Sequence, residues 1–313
     1  MQDLWFSINT VFPLLLMMAA GFAARRLQWL SESTTRQVNN CIFRLFLPLL
    51  ICFNIMDTDV QNAIDGTTLV FAFAGTIGTF LVLFWLVPRF CKQRNACGVL
   101  IQGIARSNYA IFGIPLVLMM YPGQDTSVAA LAVVVVVPIF NVMSTVALMI
   151  FGNETLDWKR IVKGVLLNPL ILATALGFLF WQLHFQLPSL LDKPLRSLSS
   201  VTTPLSLMML GAAVDFRKAR ANIRLLTIGV LGRLVLVPLV FLPLAVALGI
   251  RDVSLATLIA VFASPVAVSS YPMAQQMGGD ENLAGAQVAF TTALSIVTVF
   301  LWVLVLKSLG FLG

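Results

Sequence analysis

Carboxylates are missing from every long apolar run of this sequence. Only 13 Asp and Glu stand against 20 Lys and Arg in 313 residues, and they fall outside the runs. No pair of aspartates lies inside a run, which excludes an intramembrane aspartyl protease. Nor does a buried acid offer itself as a proton carrier. Histidine occurs once, as His184 at the end of a run, and no serine has a His or Lys at a spacing usable for nucleophilic catalysis. An enzyme is therefore not expected. The four cysteines (41, 52, 91 and 97) show no metal-ligand spacing and read as small apolar side chains, so neither metal nor cofactor is expected. A large hydrophilic segment is lacking too: the most polar connection is Gly152 to Lys163.

What the chain does have is apolar surface. It is 59% hydrophobic and 11% charged, with a mean hydropathy of +0.95. A water-facing domain carries about 25% charged residues, so this is an integral membrane protein. The net charge of +7 does not indicate a nucleic-acid partner, because most of the cations sit in short loops where they report orientation.

A span takes about 20 apolar residues, and ten are expected. They run from Leu4 to Ala24, Val38 to Met56, Thr68 to Val87, Ala96 to Tyr121, Val128 to Phe151, Leu166 to Phe185, Leu195 to Val214, Leu225 to Ile250, Leu255 to Met277 and Leu283 to Leu306. With Asp3 and no basic leader, the first is expected to be a retained span rather than a cleaved signal. Cations follow the odd spans: Arg25, Arg26 and Arg36; Arg89, Lys92 and Arg94; Lys159, Arg160 and Lys163; Arg217, Lys218, Arg220 and Arg224. The alternate loops hold Asp57, Asp59, Asp65 and Asp125 with few cations. The odd connections are thus expected in the cytoplasm and both termini outside a plasma (inner) membrane. The chain divides into residues 1–151, a linker 152–165, and residues 166–313. Five spans per half force the halves into opposite orientations, an inverted repeat.

Two of the spans are interrupted. The fourth carries Arg106, Ser107, Asn108, Tyr109, Gly113 and Pro115; the ninth carries Ser264, Pro265, Val266, Ser269, Ser270 and Pro272. Ser107, Ala110 and Pro115 map onto Ser264, Ala267 and Pro272 at one constant offset. A mid-helix proline costs about 3 kcal/mol, and irregular backbone survives at bilayer depth only inside protein or beside a wet cavity. Broken helices at matching places in two halves point to the binding site of a transporter. Each second half-helix would begin with unpaired N–H groups of partial positive charge, which suits a carboxylate.

At Asn108 the pattern resembles a known family. Asn108, Gly113 and Pro115, followed by Leu116, match the fourth-span N-x-x-x-x-G-x-P of the auxin efflux carriers; Arg106 with Asn108 resembles the R-x-N of that family's bacterial permeases. Pro265, Ala274 and Met277 to Asp280, leading into Ala289 to Ser295, are similar to the bacterial ending, and Asn39 before Pro48 to the second span. Ser107, Val266, Ala267 and the short central loop depart from the plant members. The resemblance implies an all-α fold of ten helices in two inverted five-helix repeats, like bile-acid symporters and sodium–proton antiporters. Spans four and nine would cross. Spans one, two, six and seven would form a scaffold open to homodimer contacts, and the others a moving transport domain. It also implies a small organic anion as substrate: auxin in plants, malate or malonate in some bacterial members.

The candidate substrate-binding residues are Arg106, Ser107, Asn108, Tyr109, Asn141, Ser264, Val266, Ser269 and Ser270, with Gly113, Pro115, Pro265 and Pro272 shaping the breaks. Each has a plainer alternative. The serines can satisfy backbone freed by the prolines, Tyr109 can be packing, and Asn141 can be glue between helices. Arg106 either recognises a carboxylate or locks the carbonyls at the end of the first half-helix, and Arg233 shares that ambiguity. The expected function is a secondary carrier of a small organic anion. The alternative is a membrane receptor or sensor on the same fold.

Overall fold

The computed structural model describes residues 2–57, 66–122, 124–152, 163, 166–185, 187–213 and 223–313. The connection 153–162, Asp59, Asp65, Arg217, Lys218 and Arg220 lie outside them. The described chain is helical: α1 (Gln2–Arg26), α2 (Glu32–Met56), α3 (Gly66–Phe90), α4 (Arg94–Ala105), α5 (Tyr109–Met120), α6 (Ser127–Gly152), α7 (Pro169–Gln182), α8 (Ser189–Ala213), α9 (Ile223–Ala247), α10 (Asp252–Ala263), α11 (Ser270–Gln276) and α12 (Glu281–Ser308). Each expected span overlaps one helix, except the fourth and ninth, which overlap two. Helices α2, α3, α6, α9 and α12 are long and apolar enough to cross a bilayer; α5, α7 and α10 are shorter apolar helices.

Burial identifies the centre. Ala96 to Ala105 of α4 and Leu255 to Ala263 of α10 are buried on every side, as apolar helices in the middle of a bundle are. The outer helices keep an exposed apolar stripe, such as Val70, Leu81 and Trp85 on α3. Phe241 of α9 stacks on Phe262 of α10 at 4.5 Å, and Phe71 of α3 meets both edge-on at 6.2 and 6.1 Å. These rings tie the central α10 to its flanking helices.

Prolines shape three helices by one device. Wide π turns at Ile42–Phe46, Tyr109–Gly113 and Gly232–Leu236 each stop just ahead of Pro48, Pro115 and Pro238. A proline offers no N–H and crowds the carbonyl one turn back, and widening the turn relieves both problems without breaking the helix. Pro115 therefore does not make the break in span four, contrary to its expected role. The break lies at Arg106–Asn108, before the π turn. In span nine, Pro265 does sit in the break and holds Ser264 extended at φ −64°, ψ 154°.

In lipid, helices associate through close packing rather than through water exclusion. Among the described glycines, the closest approach to a neighbouring backbone joins α1 and α8. A Cβ on Gly21 would overlap the Met208 carbonyl, and one on Gly211 the Met18 carbonyl. The alanine substitutions Gly21→Ala and Gly211→Ala are each expected to destabilise by about 1–3 kcal/mol or more, because backbone must move. Gly78→Ala in α3 meets nothing within 4 Å and is expected to be neutral or slightly stabilising. Melting temperatures of the detergent-purified variants check the contrast. Equal melting of all three would remove the argument.

Candidate functional site

The two breaks lie against each other. Ser107 and Val266 form an antiparallel bridge, and the Asn108 N–H donates to the Pro265 carbonyl at 2.8 Å. The Val266 N–H donates to the Thr291 hydroxyl at 3.1 Å, and the Gln102 amide to the Ser270 carbonyl at 3.0 Å. Backbone that leaves helical geometry in the core thus finds partners in the opposite break and in α12. Buried backbone groups require such partners.

Arg233 completes the crossing. It is fully buried on the π turn of α9. Its Nε donates to the Ser264 carbonyl at 2.7 Å and Nη2 to that of Val261 at 2.7 Å. Its Nη1 reaches the carbonyls of Ile104 and Ala105 at 3.2 and 3.1 Å. These carbonyls end α4 and α10, where the helix dipole is negative. The lock geometry considered for Arg106 belongs to Arg233.

Arg106 bonds to side chains instead. Its Nη2 donates to Asn141 Oδ1 and Ser269 Oγ, each at 2.9 Å, and Nη1 to the Met273 sulfur at 2.7 Å. Asn141 in turn donates to Thr174 Oγ1 at 3.0 Å, and that hydroxyl to the Leu170 carbonyl at 2.7 Å. A relay from α7 through α6 therefore orients the guanidinium. Each partner is neutral, and one is a soft thioether.

A cavity of about 70 Å³ opens beside this cation. One wall is the break in span four with the first turn of α5 (Arg106, Ser107, Asn108, Tyr109, Ala110 and Ile111), completed by Val137 and Phe140 of α6 and by Ala267, Val268 and Ser269 at the start of α11. The facing wall comes from α2 (Leu47, Leu50, Ile51, Asn54) and α8 (Thr202, Thr203, Ser206). Ser107 Oγ, Asn108 Nδ2 and Ser206 Oγ are buried without a hydrogen-bond partner. The cavity lining holds no Asp or Glu.

Of the sequence-selected residues, Arg106, Ser107, Asn108, Tyr109 and Ser269 meet at this cavity. The Tyr109 hydroxyl turns away to donate to the Ala129 carbonyl at 2.7 Å. Asn141 stands behind Arg106. Ser264, Val266 and Ser270 contribute backbone to the crossing, not lining. Asn54, Thr202, Thr203 and Ser206 were not among the candidates. Their only sequence signal is a small polar residue inside an apolar run, beside Pro204 for the last three.

A second, open cavity of about 790 Å³ lies around Arg36, Asn40, Asn95, Gln275, Gln276 and Glu281. Arg36 of α2 pairs with Glu281 of α12 at 3.1 Å, and Gln275 of α11 donates to the same carboxylate at 2.7 Å.

Residues 6–303 match a family described as "Membrane transport protein". An "Uncharacterized transporter" of Methanothermobacter thermautotrophicus is 22% identical over 96% of this chain and 98% of its own. A "Putative malonate transporter" of Rhizobium meliloti is 22% identical over 92% of each chain. A further "Uncharacterized transporter", from Methanocaldococcus jannaschii, is 22% identical over 94% of this chain and 97% of its own.

Proposed function

The chain belongs to the membrane transport protein family, that of the auxin efflux carriers and their bacterial permeases, and from that premise we propose that it is a secondary carrier of a small organic anion. The observation that carries this reading is the cavity at the crossing. It presents a buried guanidinium, unpaired hydroxyl and amide donors and no carboxylate. A buried cation with only neutral partners lacks a counter-ion, and a bound carboxylate supplies one in bidentate geometry. The first-turn N–H groups of α5 add partial positive charge from the same wall.

Size narrows the class. One water needs roughly 10–15 Å³ on this measure, so about 70 Å³ suits a short-chain acid better than an indole. The name of the Rhizobium meliloti relative makes malonate the first substrate to try, with malate next. The walls support an elevator movement: α2 and α8 belong to the proposed scaffold, and the broken helices with α6 to the proposed transport domain. In the inverted-repeat reading, residues 1–151 and 166–313 each supply part of both bodies, and the substrate lies between them. By the distribution of cations, the open cavity at Arg36 and Glu281 is the cytoplasmic mouth.

Uptake of labelled malonate and malate into proteoliposomes tests the function. Accumulation that a cold acid competes away is expected. Binding without flux under any gradient would make the protein a sensor. The orientation has its own test. Asp157→Cys and Lys218→Cys are expected to react with impermeant maleimide only from the cytoplasmic side, and labelling from outside would invert the topology.

A further inference from the structure

The carbonyl cluster around Arg233 is built like a cation site. Four backbone oxygens, from Ile104, Ala105, Val261 and Ser264, converge on one group at 2.7–3.2 Å. They come from the ends of two helices whose negative poles meet in the core. In carriers built on broken helices, such carbonyls are what hold a coupling sodium ion. Here the group between them is the guanidinium of the chain itself, carried on a helix that is not broken.

Arg233 and Arg106 stand at opposite poles of the same crossing. Arg233 is bound to the carbonyl ends of α4 and α10, while Arg106 lies in the cavity where α5 and α11 begin. With Arg233 in place, the charge that neutralises the carbonyl ends belongs to the chain itself. It neither enters nor leaves with the substrate. We propose that Arg233 is a fixed internal cation occupying the place of a coupling metal ion, so that anion binding and movement are independent of sodium and other alkali ions. This deepens the carrier reading and rests on it for the word coupling, but the ion chemistry is tested without substrate.

The test heats purified Arg233→Ala in guanidinium chloride, sodium chloride or choline chloride at equal, low-millimolar ionic strength. Guanidinium is expected to raise the variant's melting temperature by about 5 °C over choline and to leave wild type unmoved. A rise with sodium would equally support a cation cage; a variant indifferent to both ions would overturn the proposal. Should the alanine variant not fold, Arg233→Lys decides. An ammonium keeps the charge without the planar fork, so this variant is expected to fold with a lowered melting temperature, and a lysine variant that fails to fold as the alanine variant does would overturn the proposal. Wild-type protein without ligand is expected to melt alike in sodium and choline, and stabilisation by sodium would also overturn the proposal. Absence of malonate flux, by contrast, would count against the carrier and leave these results standing.

Discussion

Arg106→Met is expected to weaken binding of small carboxylates by about 30-fold or more while leaving the protein folded. Within the protein the guanidinium is buried with an amide, a hydroxyl and a thioether as partners. Burying a charge that lacks an opposite charge costs several kcal/mol, and a methionine of similar reach escapes that cost. The unliganded variant should therefore melt at or above the wild-type temperature. With an anion bound the balance reverses, since losing one member of a buried, hydrogen-bonded charge pair costs about 2–5 kcal/mol. That corresponds to a Kd raised by about 30-fold to several thousand-fold. Isothermal calorimetry with malonate, paired with a melting curve, checks both halves. A folded variant with wild-type affinity would remove Arg106 from the site.

Asn108→Ala is expected to weaken binding by about fivefold or more with a small effect on melting. The backbone of Asn108 does the structural work at the crossing. Its N–H donates to Pro265, and its carbonyl accepts from Phe112 and Gly113 at 2.9 and 3.3 Å. Alanine keeps those bonds. The side-chain nitrogen has no partner in the protein and lines the cavity, so its donors are free for a ligand oxygen. Losing such a bond costs about 1–3 kcal/mol, which is roughly a five- to hundredfold change in Kd. A variant that melts early but binds normally would mean that the amide supports the fold and the anion rests on Arg106 and the α5 N-terminus.

The two arginines show where sequence reading stops. Arg106 and Arg233 look alike on paper, each a lone cation in an apolar run with prolines downstream. Their partners set them apart. Arg106 reaches Ser269, 163 positions away in sequence, and Arg233 reaches Ala105, 128 positions away. No periodicity encodes such a pairing. Prolines mislead in the same manner. Pro115 looks like the breaker of span four, yet the helix absorbs it with a π turn. The break forms at Arg106–Asn108, where pairing with Val266 and Pro265 compensates the backbone.

Composition and patterning alone mark this chain as a multi-pass helical membrane protein, its motifs resemble a transport family, and two windows, Arg106 to Pro115 and Ser264 to Pro272, stand out as interrupted. Lipid offers no hydrogen bonds, so a spanning segment must be apolar and helical over its own length. Polar residues and prolines gathered in one window then betray a departure from that rule. The tertiary structure alone decided which cation faces the cavity and which holds the crossing. It also decided that Asn54, Thr202, Thr203 and Ser206 of α2 and α8 form the facing wall. A polar side chain in a span must find a partner or a cavity, but its identity leaves open which one. Only the packing of distant helices settles that.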